Sequence, residues 1–279
     1  MQEYENRVIV ITGGGSGIGQ AIALEACRLG MRIVVNDQDK DYLNETEKLL
    51  KETGADFKIF EADMSLAENA KALLDFALEA YGQVDILVNS AGVSVSGPLW
   101  EIPEQDIKWI TETNFLGHLY TARVFIQQMI KQETPAAIVN VASTAGLMTS
   151  GNAIMYHATK FGDVGASEAL YLSLKHRNIN HISVHCVAPA FIKTNIHESE
   201  RYRPERYQDL SDPYYSSEEF KSGYRRAIKQ VVAGMPIDYV GKCVFNAINE
   251  NRFYVFTHPE SIVVAANRIK NMAAGKNPQ

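Results

Sequence analysis

The chain has 279 residues, of which 46% are hydrophobic and 22% charged, a composition typical of a folded chain that buries one large core. Its net charge of -6 offers no basic surface for nucleic acid and no polybasic anchor for a membrane, so both partners are disfavoured. Its three cysteines, Cys27, Cys186 and Cys243, are odd in number and far apart, which indicates free thiols rather than a disulfide framework or a metal site.

Apolar runs of strand length alternate with helical patterns along the chain. The predicted strands cover residues 8–11, 33–36, 57–61, 86–89, 136–141, 182–187 and 253–256. Segments with the 3.6-residue period of a helix include residues 18–29, 42–53, 67–81 and 155–175. This alternation predicts one α/β domain over residues 1–279, with a parallel sheet covered by helices on both faces. The first strand begins too early for a signal peptide and no apolar run reaches the ~18 residues of a membrane span, so we expect a cytoplasmic protein.

A glycine-rich turn, residues 12–19, follows the first predicted strand. Glycines let the backbone approach a pyrophosphate, and the free amides of a helix amino terminus attract its charge. The candidate cofactor contacts here are Gly13, Ser16, Gly17, Ile18 and Gly19. Their spacing differs from the usual dinucleotide fingerprint, and a tight turn is the alternative. The position of the turn after the first strand of an alternating chain favours dinucleotide binding.

Asp37 ends the second predicted strand, about 20 residues past Gly17. An acidic residue there accepts hydrogen bonds from the adenosine ribose and repels a 2′-phosphate. Ser16 and Gln38 supply no cation for such a phosphate. The sequence therefore predicts NAD rather than NADP, with capping of the next helix as an alternative or additional role for Asp37.

Two further strand ends are expected to face the cofactor. Asp63 and Met64 follow the third predicted strand and would border the adenine. Asn89, Ala91 and Gly92 follow the fourth, where small residues leave space for a ribose. Each position is also compatible with a turn or a helix cap.

Polar groups cluster in residues 143–160. Ser143 follows the fifth predicted strand, and Tyr156 and Lys160 lie four residues apart, on one face of the next helix. A positive charge ~4 Å from the phenol, at an effective dielectric constant of about 20, is worth roughly 4 kcal/mol. Lys160 would thus make Tyr156 a proton donor and acceptor near neutral pH, with Ser143 holding the substrate oxygen. Alone, the Tyr-x-x-x-Lys spacing favours a packed tyrosine and a solvated lysine, and the other motifs of the chain change that balance.

Residues 191–235 show no strand pattern and predict an irregular insertion that acts as a substrate lid. The predicted substrate contacts are Ser143, Val95, Met148, Met155, Phe191 and Ile196. Four lid tyrosines either line this pocket or pack the lid onto the body: Tyr202, Tyr207, Tyr214 and Tyr215. Three lid arginines either recognise an anionic tail or pair with nearby glutamates: Arg201, Arg203 and Arg206.

With these motifs in place, the sequence resembles the short-chain dehydrogenase/reductase family. Residues 12–19 match its glycine motif, and residues 89–92 match its Asn-Asn-Ala-Gly motif with Ser90 in second position. The catalytic tetrad of the family is matched by Asn114, Ser143, Tyr156 and Lys160. Pro189 is followed by Ala190 where the family usually has Pro-Gly, and the nicotinamide-side contacts implied are Pro189, Ile192 and Thr194.

The resemblance implies a single-domain Rossmann fold with a seven-stranded parallel sheet, assembled into homodimers or homotetramers through the helices that carry Asn114 and Tyr156. It implies that Tyr156 is the acid/base, that Lys160 binds the nicotinamide ribose and that Asn114 supports a water-linked proton relay. A weaker resemblance, in residues 189–196 and 201–207, is to bacterial dehydrogenases that oxidise benzylic alcohols of lignin-derived aryl ethers.

We therefore expect an enzyme that transfers a hydride between NAD(H) and a small-molecule secondary alcohol or ketone, bulky and apolar or aromatic, such as a steroid, terpene or aryl compound. A non-catalytic dinucleotide-binding regulator and an epimerase or dehydratase of the same fold are the alternatives.

Overall fold

The computed structural model describes residues 4–278 and contains one parallel sheet. Its strands are β1 Val8–Thr12, β2 Arg32–Asp37, β3 Phe57–Glu61, β4 Ile86–Asn89, β5 Ala136–Val141, β6 Ile182–Ala188 and β7 Tyr254–Phe256. They lie in the order β3-β2-β1-β4-β5-β6-β7, and each neighbouring pair is parallel. The seven-stranded sheet predicted from the resemblance is confirmed.

Helices cover both faces of this sheet. They are α1 Gly17–Arg28, α2 Lys40–Thr53, α3 Ala67–Tyr81, α4 Glu104–Thr111, α5 Gly117–Gln132, α6 Ile154–His176, α7 Glu218–Val232, α8 Val240–Asn249 and α9 Ser261–Ala273. Side chains of α1, α2 and α8 belong to one buried cluster, and side chains of α3, α5 and α6 belong to a second. The strands feed both clusters because successive side chains point to opposite faces: Ile9 and Ile11 join the first, and Val10 joins the second.

The sheet order places a crevice where ligands bind in this class of fold. The chain leaves β1 towards β2 on one side and reaches β4 on the other, so the loops after β1 and β4 diverge. A ligand site is expected outside the carboxyl ends of the strands at such a point. No helix within residues 4–278 combines the length and the apolar composition needed to cross a membrane.

The insertion differs from the irregular segment that the sequence predicts. Residues 196–202, 205–207 and 213–216 form short 3-10 turns, and they are followed by the 15-residue helix α7. The expectation of an irregular segment is wrong over α7, where Phe220, Tyr224, Ala227 and Val231 recur every three or four residues, the period of an amphipathic helix. The predicted domain limits also include residues 1–3 and 279, which lie outside the described residues.

Candidate active site

A cavity of about 420 Å³ lies at the carboxyl edge of the sheet, between the glycine turn, the ends of β2 to β6 and α7. Most predicted cofactor residues line it: Gly13, Ser16, Gly17, Ile18, Asp37, Asp63, Met64, Ala91, Gly92, Tyr156, Lys160, Pro189, Ile192 and Thr194. Two predicted contacts, Gly19 and Asn89, do not line it. Both are instead packed behind its wall.

The glycine turn is shaped by close backbone packing. Gly13 has a φ of +63°, and a Cβ added there would lie 2.6 Å from the Cα of Ala91. A Cβ at Gly19 would lie 2.2 Å from the carbonyl oxygen of Gly13, so Gly19 allows the helix to pack on the turn instead of touching a ligand. Ser16 precedes α1 without a side-chain cap hydrogen bond. The uncapped helix terminus facing the cavity fits the pyrophosphate of a dinucleotide.

Asp37 lies at the end of β2, 7% exposed, with its carboxylate beside the glycine turn. It accepts hydrogen bonds from the backbone amides of Gly15 at 3.0 Å and Asp39 at 3.1 Å. Burial raises the pKa of Asp37 despite these hydrogen bonds. The predicted capping role belongs to Asp39, which accepts from the amide of Tyr42 at the start of α2. Asp37 therefore has acceptor capacity for the ribose hydroxyls of a dinucleotide.

The ends of β3 and β4 are used differently from each other. Asp63 accepts hydrogen bonds from the amide and hydroxyl of Ser65, as the predicted turn requires, and also lines the cavity. Asn89 is fully buried, donates to Asn140 at 2.9 Å and accepts from Thr121 at 2.6 Å. The Asn89 side chain links β4 to β5 and α5, and a contact between Asn89 and the cofactor stays a prediction.

Ser143, Tyr156 and Lys160 meet at the centre of the cavity wall. Ser143 lies just after β5; its hydroxyl accepts from the amide of Ala145 at 3.1 Å. Tyr156 and Lys160 lie on the first turns of α6, and the Lys160 ammonium is 6.0 Å from the centre of the Tyr156 ring. The hydroxyl, the phenol and the ammonium can therefore act on one bound molecule.

Lys160 belongs to a buried polar cluster that the sequence did not single out. Its ammonium donates to the carbonyl of Val141 at 2.9 Å and to the carboxylate of Asp163 at 3.1 Å. The other oxygen of Asp163 lies 3.2 Å from Nδ1 of His118, whose Nε2 is 2.9 Å from the carbonyl oxygen of Ala91. Burial alone would raise the pKa of Asp163, but the neighbouring Lys160 and His118 lower it below its usual value. Asp163 stands three residues after Lys160 on a predicted helix, a spacing that could have revealed the pair.

Asn114 lies in a single π-helical turn, Glu112–Leu116, between α4 and α5. Its side chain is fully buried, donating to the carbonyl of Val93 at 2.8 Å and accepting from the amide of Val93 at 2.8 Å. It does not line the cavity. Asn114 thus braces the loop after β4, and its part in a proton relay stays a prediction.

The three lid arginines hold the insertion against the body. Their carboxylate partners are Asp39 and Asp41 for Arg201, Asp106 and Glu200 for Arg203, and Asp63 and Glu112 for Arg206. Arg203 is buried and stacks on Trp109, with its guanidinium carbon 4.3 Å from the ring centre. None of the three lines the cavity, and their carboxylate partners favour the alternative that these arginines form ion pairs rather than bind an anionic tail.

The lid tyrosines divide between the two predicted roles. Tyr202 lines the cavity, with its hydroxyl 3.0 Å from that of Ser16, and its carbonyl accepts from Gln38 at 2.9 Å. Tyr207, Tyr214 and Tyr215 pack into an apolar cluster with Trp109, away from the cavity. This part of the insertion therefore lies over the glycine turn and the end of β2, which are predicted to bind the cofactor. It does not lie over the predicted substrate contacts alone.

The substrate end of the cavity is more polar than predicted. Ser143, Phe191 and Ile196 line it, but Val95, Met148 and Met155 do not. Val95 is buried in the Trp109 cluster, and Met155 packs against that cluster. Lining residues that the sequence did not mark as substrate contacts include Ser96, Ser150, Asn152, Gly223, Arg226 and Gln230. Ser96, Ser150 and Asn152 come from loops, where no sequence period marks them, and the other three lie on α7.

Known proteins match the whole chain. A family model described as short chain dehydrogenase matches residues 7–205. A "CLA biosynthesis dehydrogenase/reductase" of Lactiplantibacillus plantarum is 36% identical over 278 residues, covering 100% of this chain and 97% of the relative. A "1-deoxy-11-beta-hydroxypentalenate dehydrogenase" of Streptomyces exfoliatus is 27% identical over 259 residues, covering 92% and 85%.

A solved structure has the same architecture. The crystal structure of a short chain dehydrogenase/reductase from Burkholderia phymatum in complex with NAD has a TM-score of 0.95 and 36% identity, covering 100% of this chain and 98% of that chain. Fold, family model and relatives agree with the motifs that carry the resemblance. The chain therefore belongs to the short-chain dehydrogenase/reductase family of oxidoreductases.

Proposed function

We propose that the protein is an NAD-dependent dehydrogenase or ketoreductase that interconverts a secondary alcohol and a ketone. The observation that carries this proposal is the convergence of Ser143, Tyr156 and Lys160 on a cavity that also contains the glycine turn. Bound NAD supplies the acceptor for the hydride, and NADH its donor. The side chains of the protein orient the alcohol and move its proton.

Tyr156 takes the hydroxyl proton during oxidation and returns it during reduction. The Lys160 ammonium, 6.0 Å from the centre of the phenol ring, stabilises the phenolate that forms. Ser143 donates to the substrate oxygen after its weak hydrogen bond to the carbonyl of Pro189, at 3.3 Å, is released. The Lys160 ammonium has three N–H groups, and because Val141 and Asp163 accept from two of them, the third is left for a bound molecule.

Three observations support NAD as the cofactor. The uncapped amino terminus of α1 suits a pyrophosphate, and the Asp37 carboxylate suits ribose hydroxyls while repelling a 2′-phosphate. Arg201 is held by Asp39 and Asp41 outside the cavity lining, so it does not offset this repulsion. The Burkholderia phymatum short chain dehydrogenase/reductase, which is 36% identical, was crystallised in complex with NAD.

The substrate is proposed to be a bulky secondary alcohol. Phe191, Ile196 and Val231 provide apolar walls at the α7 side of the cavity. These contacts suit a hydrocarbon body larger than a short-chain alcohol. The resemblance to aryl-ether dehydrogenases stays a prediction.

The decisive experiment compares wild type with Tyr156→Phe. Loss of the phenol hydroxyl should lower kcat by roughly 10²–10⁴-fold, the usual contribution of a general acid/base. NAD binding, measured by titration, should change little. NADH absorbance with a panel of secondary alcohols reports turnover, and Tyr171→Phe, an exposed tyrosine on the same helix, is the matched control. Retained turnover in Tyr156→Phe would refute the acid/base assignment.

The same assay separates the alternatives. A non-catalytic regulator would bind NAD but form no NADH with any alcohol. An epimerase or dehydratase would convert its substrate without net NADH accumulation. We also propose a cytoplasmic homodimer or homotetramer; exposed apolar side chains on α5 and α6, Leu119, Tyr171 and Leu172, are available for such contacts.

A further inference from the structure

One face of α7 forms a wall of the cavity. Gly223, Arg226, Ala227, Gln230 and Val231 line it. Their spacings of three and four residues place them on one side of the helix. This wall combines small and apolar positions with two long hydrogen-bond donors, an arginine and a glutamine four residues apart.

Close packing fixes the position of this helix face. A Cβ added at Gly223 would lie 2.8 Å from the Cβ of Ser96, so α7 meets the loop after β4 without space for a side chain. Ser96 lines the same cavity. Arg226 follows one turn later and is thereby held at the cavity wall.

The charges around the cavity make Arg226 distinctive. Within residues 4–278, the aspartate, glutamate, lysine and arginine side chains that line it are Asp37, Asp63, Lys160 and Arg226. Asp37 and Asp63 belong to the cofactor end, and Lys160 is bound to a buried carboxylate. Arg226 is therefore the cation that the α7 wall offers to a substrate.

Arg226 is held loosely compared with the arginines that dock the lid. Its guanidinium donates to the hydroxyl of Ser222 at 3.0 Å and to Glu219 at 2.9 Å. The Arg226 and Glu219 side chains are 41% and 35% exposed, and exposed ion pairs contribute little. Arg203, by contrast, is buried between two carboxylates. With five N–H groups in all, the Arg226 guanidinium keeps donors for a second anion.

We propose that Arg226, with Gln230 beside it, binds a carboxylate of the substrate, so that the enzyme acts on hydroxy acids and keto acids. This inference rests on the proposed dehydrogenase function. The guanidinium fork matches the two oxygens of a carboxylate. The apolar walls at Ala227 and Val231 accommodate the hydrocarbon between the carboxylate and the carbinol carbon at Tyr156.

The test uses hydroxydecanoic acids with the hydroxyl at successive positions along the chain, together with their methyl esters, and NAD. Wild type should prefer at least one acid over its ester in kcat/KM by about tenfold or more, the size expected of a charge-assisted hydrogen bond. In Arg226→Gln this preference should disappear through a higher KM, with kcat nearly unchanged. The kcat/KM of the ester should fall much less than that of the acid in Arg226→Gln.

Arg225→Gln is the matched control. Arg225 is the preceding residue of the same helix, pairs with Glu218 and does not line the cavity. This variant should keep the wild-type preference for the acid. Equal loss in both variants, or an unchanged acid-to-ester ratio in Arg226→Gln, would overturn the proposal.

A binding measurement separates this inference from the proposed function. Calorimetric titration of the NAD-loaded protein with decanoic acid and methyl decanoate should show tighter binding of the acid, and Arg226→Gln should remove the difference. If no alcohol yields NADH but this difference is found, the dehydrogenase assignment fails and the carboxylate site survives. If alcohols are oxidised while wild type and Arg226→Gln bind the acid equally, the carboxylate site fails alone.

Discussion

Two buried aspartates, Asp37 in the lining of the cavity and Asp163 beside the buried Lys160 ammonium, show opposite electrostatic behaviour. Asp37 is 7% exposed and Asp163 is 3% exposed. Burial raises the pKa of Asp37, whose hydrogen bonds come from backbone amides alone. Burial acts on Asp163 as well, but Lys160 and His118 lie at 3.1 and 3.2 Å and lower its pKa.

The difference separates a structural carboxylate from a ligand-binding one. The chain itself supplies the cations that Asp163 needs, so this residue is satisfied before any ligand binds. Asp37 is held in a less favourable state and faces the cavity, where hydroxyl donors of a dinucleotide would stabilise its charge. A buried carboxylate that has backbone amides but no cationic side chain as partners among residues 4–278 thus supports the proposed cofactor site.

The largest effect should come from removing the satisfied carboxylate. Asp163→Ala leaves the Lys160 ammonium, 4% exposed, without its carboxylate partner. Breaking a buried pair in this way costs about 3–5 kcal/mol of unfolding free energy. Urea denaturation without cofactor measures the loss, and Asp163→Asn, which keeps the shape and a hydrogen-bond acceptor, should lose less. If the urea midpoint of Asp163→Ala equals that of wild type, Asp163 does not stabilise the fold, and the contrast with Asp37 is lost.

A smaller effect is expected from replacing Asp37, and it concerns the choice between NAD and NADP rather than folding. Asp37→Asn removes the charge that favours ribose hydroxyls and repels a 2′-phosphate, so the ratio of kcat/KM for NAD to that for NADP should fall roughly 10- to 100-fold. The free energy of unfolding without cofactor should not decrease, because an unfavourable buried charge is lost. A ratio equal to that of wild type would show that Asp37 does not select the cofactor.

Asp37 and Asp163 also differ in how readily the sequence reveals them. Asp37 was found because its role depends on local order: a glycine turn after a strand, then an acidic residue at the end of the next strand. The positions of the strands were predicted to within one residue for the same reason, as in β3, Phe57–Glu61. Asp163 was missed because its partner His118 lies 45 residues away in sequence, on α5.

The substrate end was least predictable because tertiary packing decides it. Apolar residues near the catalytic stretch, such as Val95 and Met155, were expected to face the substrate, yet they join the cluster under the lid. Arg226 lies on α7, whose amphipathic period is present in the sequence, but a period alone does not show which face meets the cavity. Which face of α7 meets the cavity depends on the contact between Gly223 and Ser96, which no local pattern encodes.

The smallest expected effect of replacing Asp37 or Asp163 is on the pH dependence of unfolding in the absence of cofactor. The folded-state pKa of Asp163 lies below its unfolded value of about 3.9, so Asp163 contributes stability that is present above that value and is lost as pH falls through the folded-state pKa. The folded-state pKa of Asp37 lies above the same value, so ionised Asp37 costs stability at neutral pH, and this cost disappears on acidification through its folded-state pKa. The two substitutions should therefore change the slope in opposite directions, each by at most ~1.4 kcal/mol per pH unit.

Relative to wild type, Asp163→Asn should be less stable at neutral pH, and its deficit should shrink below about pH 4. Asp37→Asn should be more stable at neutral pH, and its advantage should shrink through a window that begins higher, above about pH 4. Urea denaturation from about pH 3 to pH 8 measures both differences. Saturating NAD should reverse the advantage of Asp37→Asn, because ribose hydroxyls stabilise the ionised carboxylate of wild type alone. If the stability difference from wild type changes with pH in the same direction in both variants, both carboxylates are satisfied by the chain. Asp37 would then no longer be distinguished from Asp163 as the carboxylate that awaits a ligand.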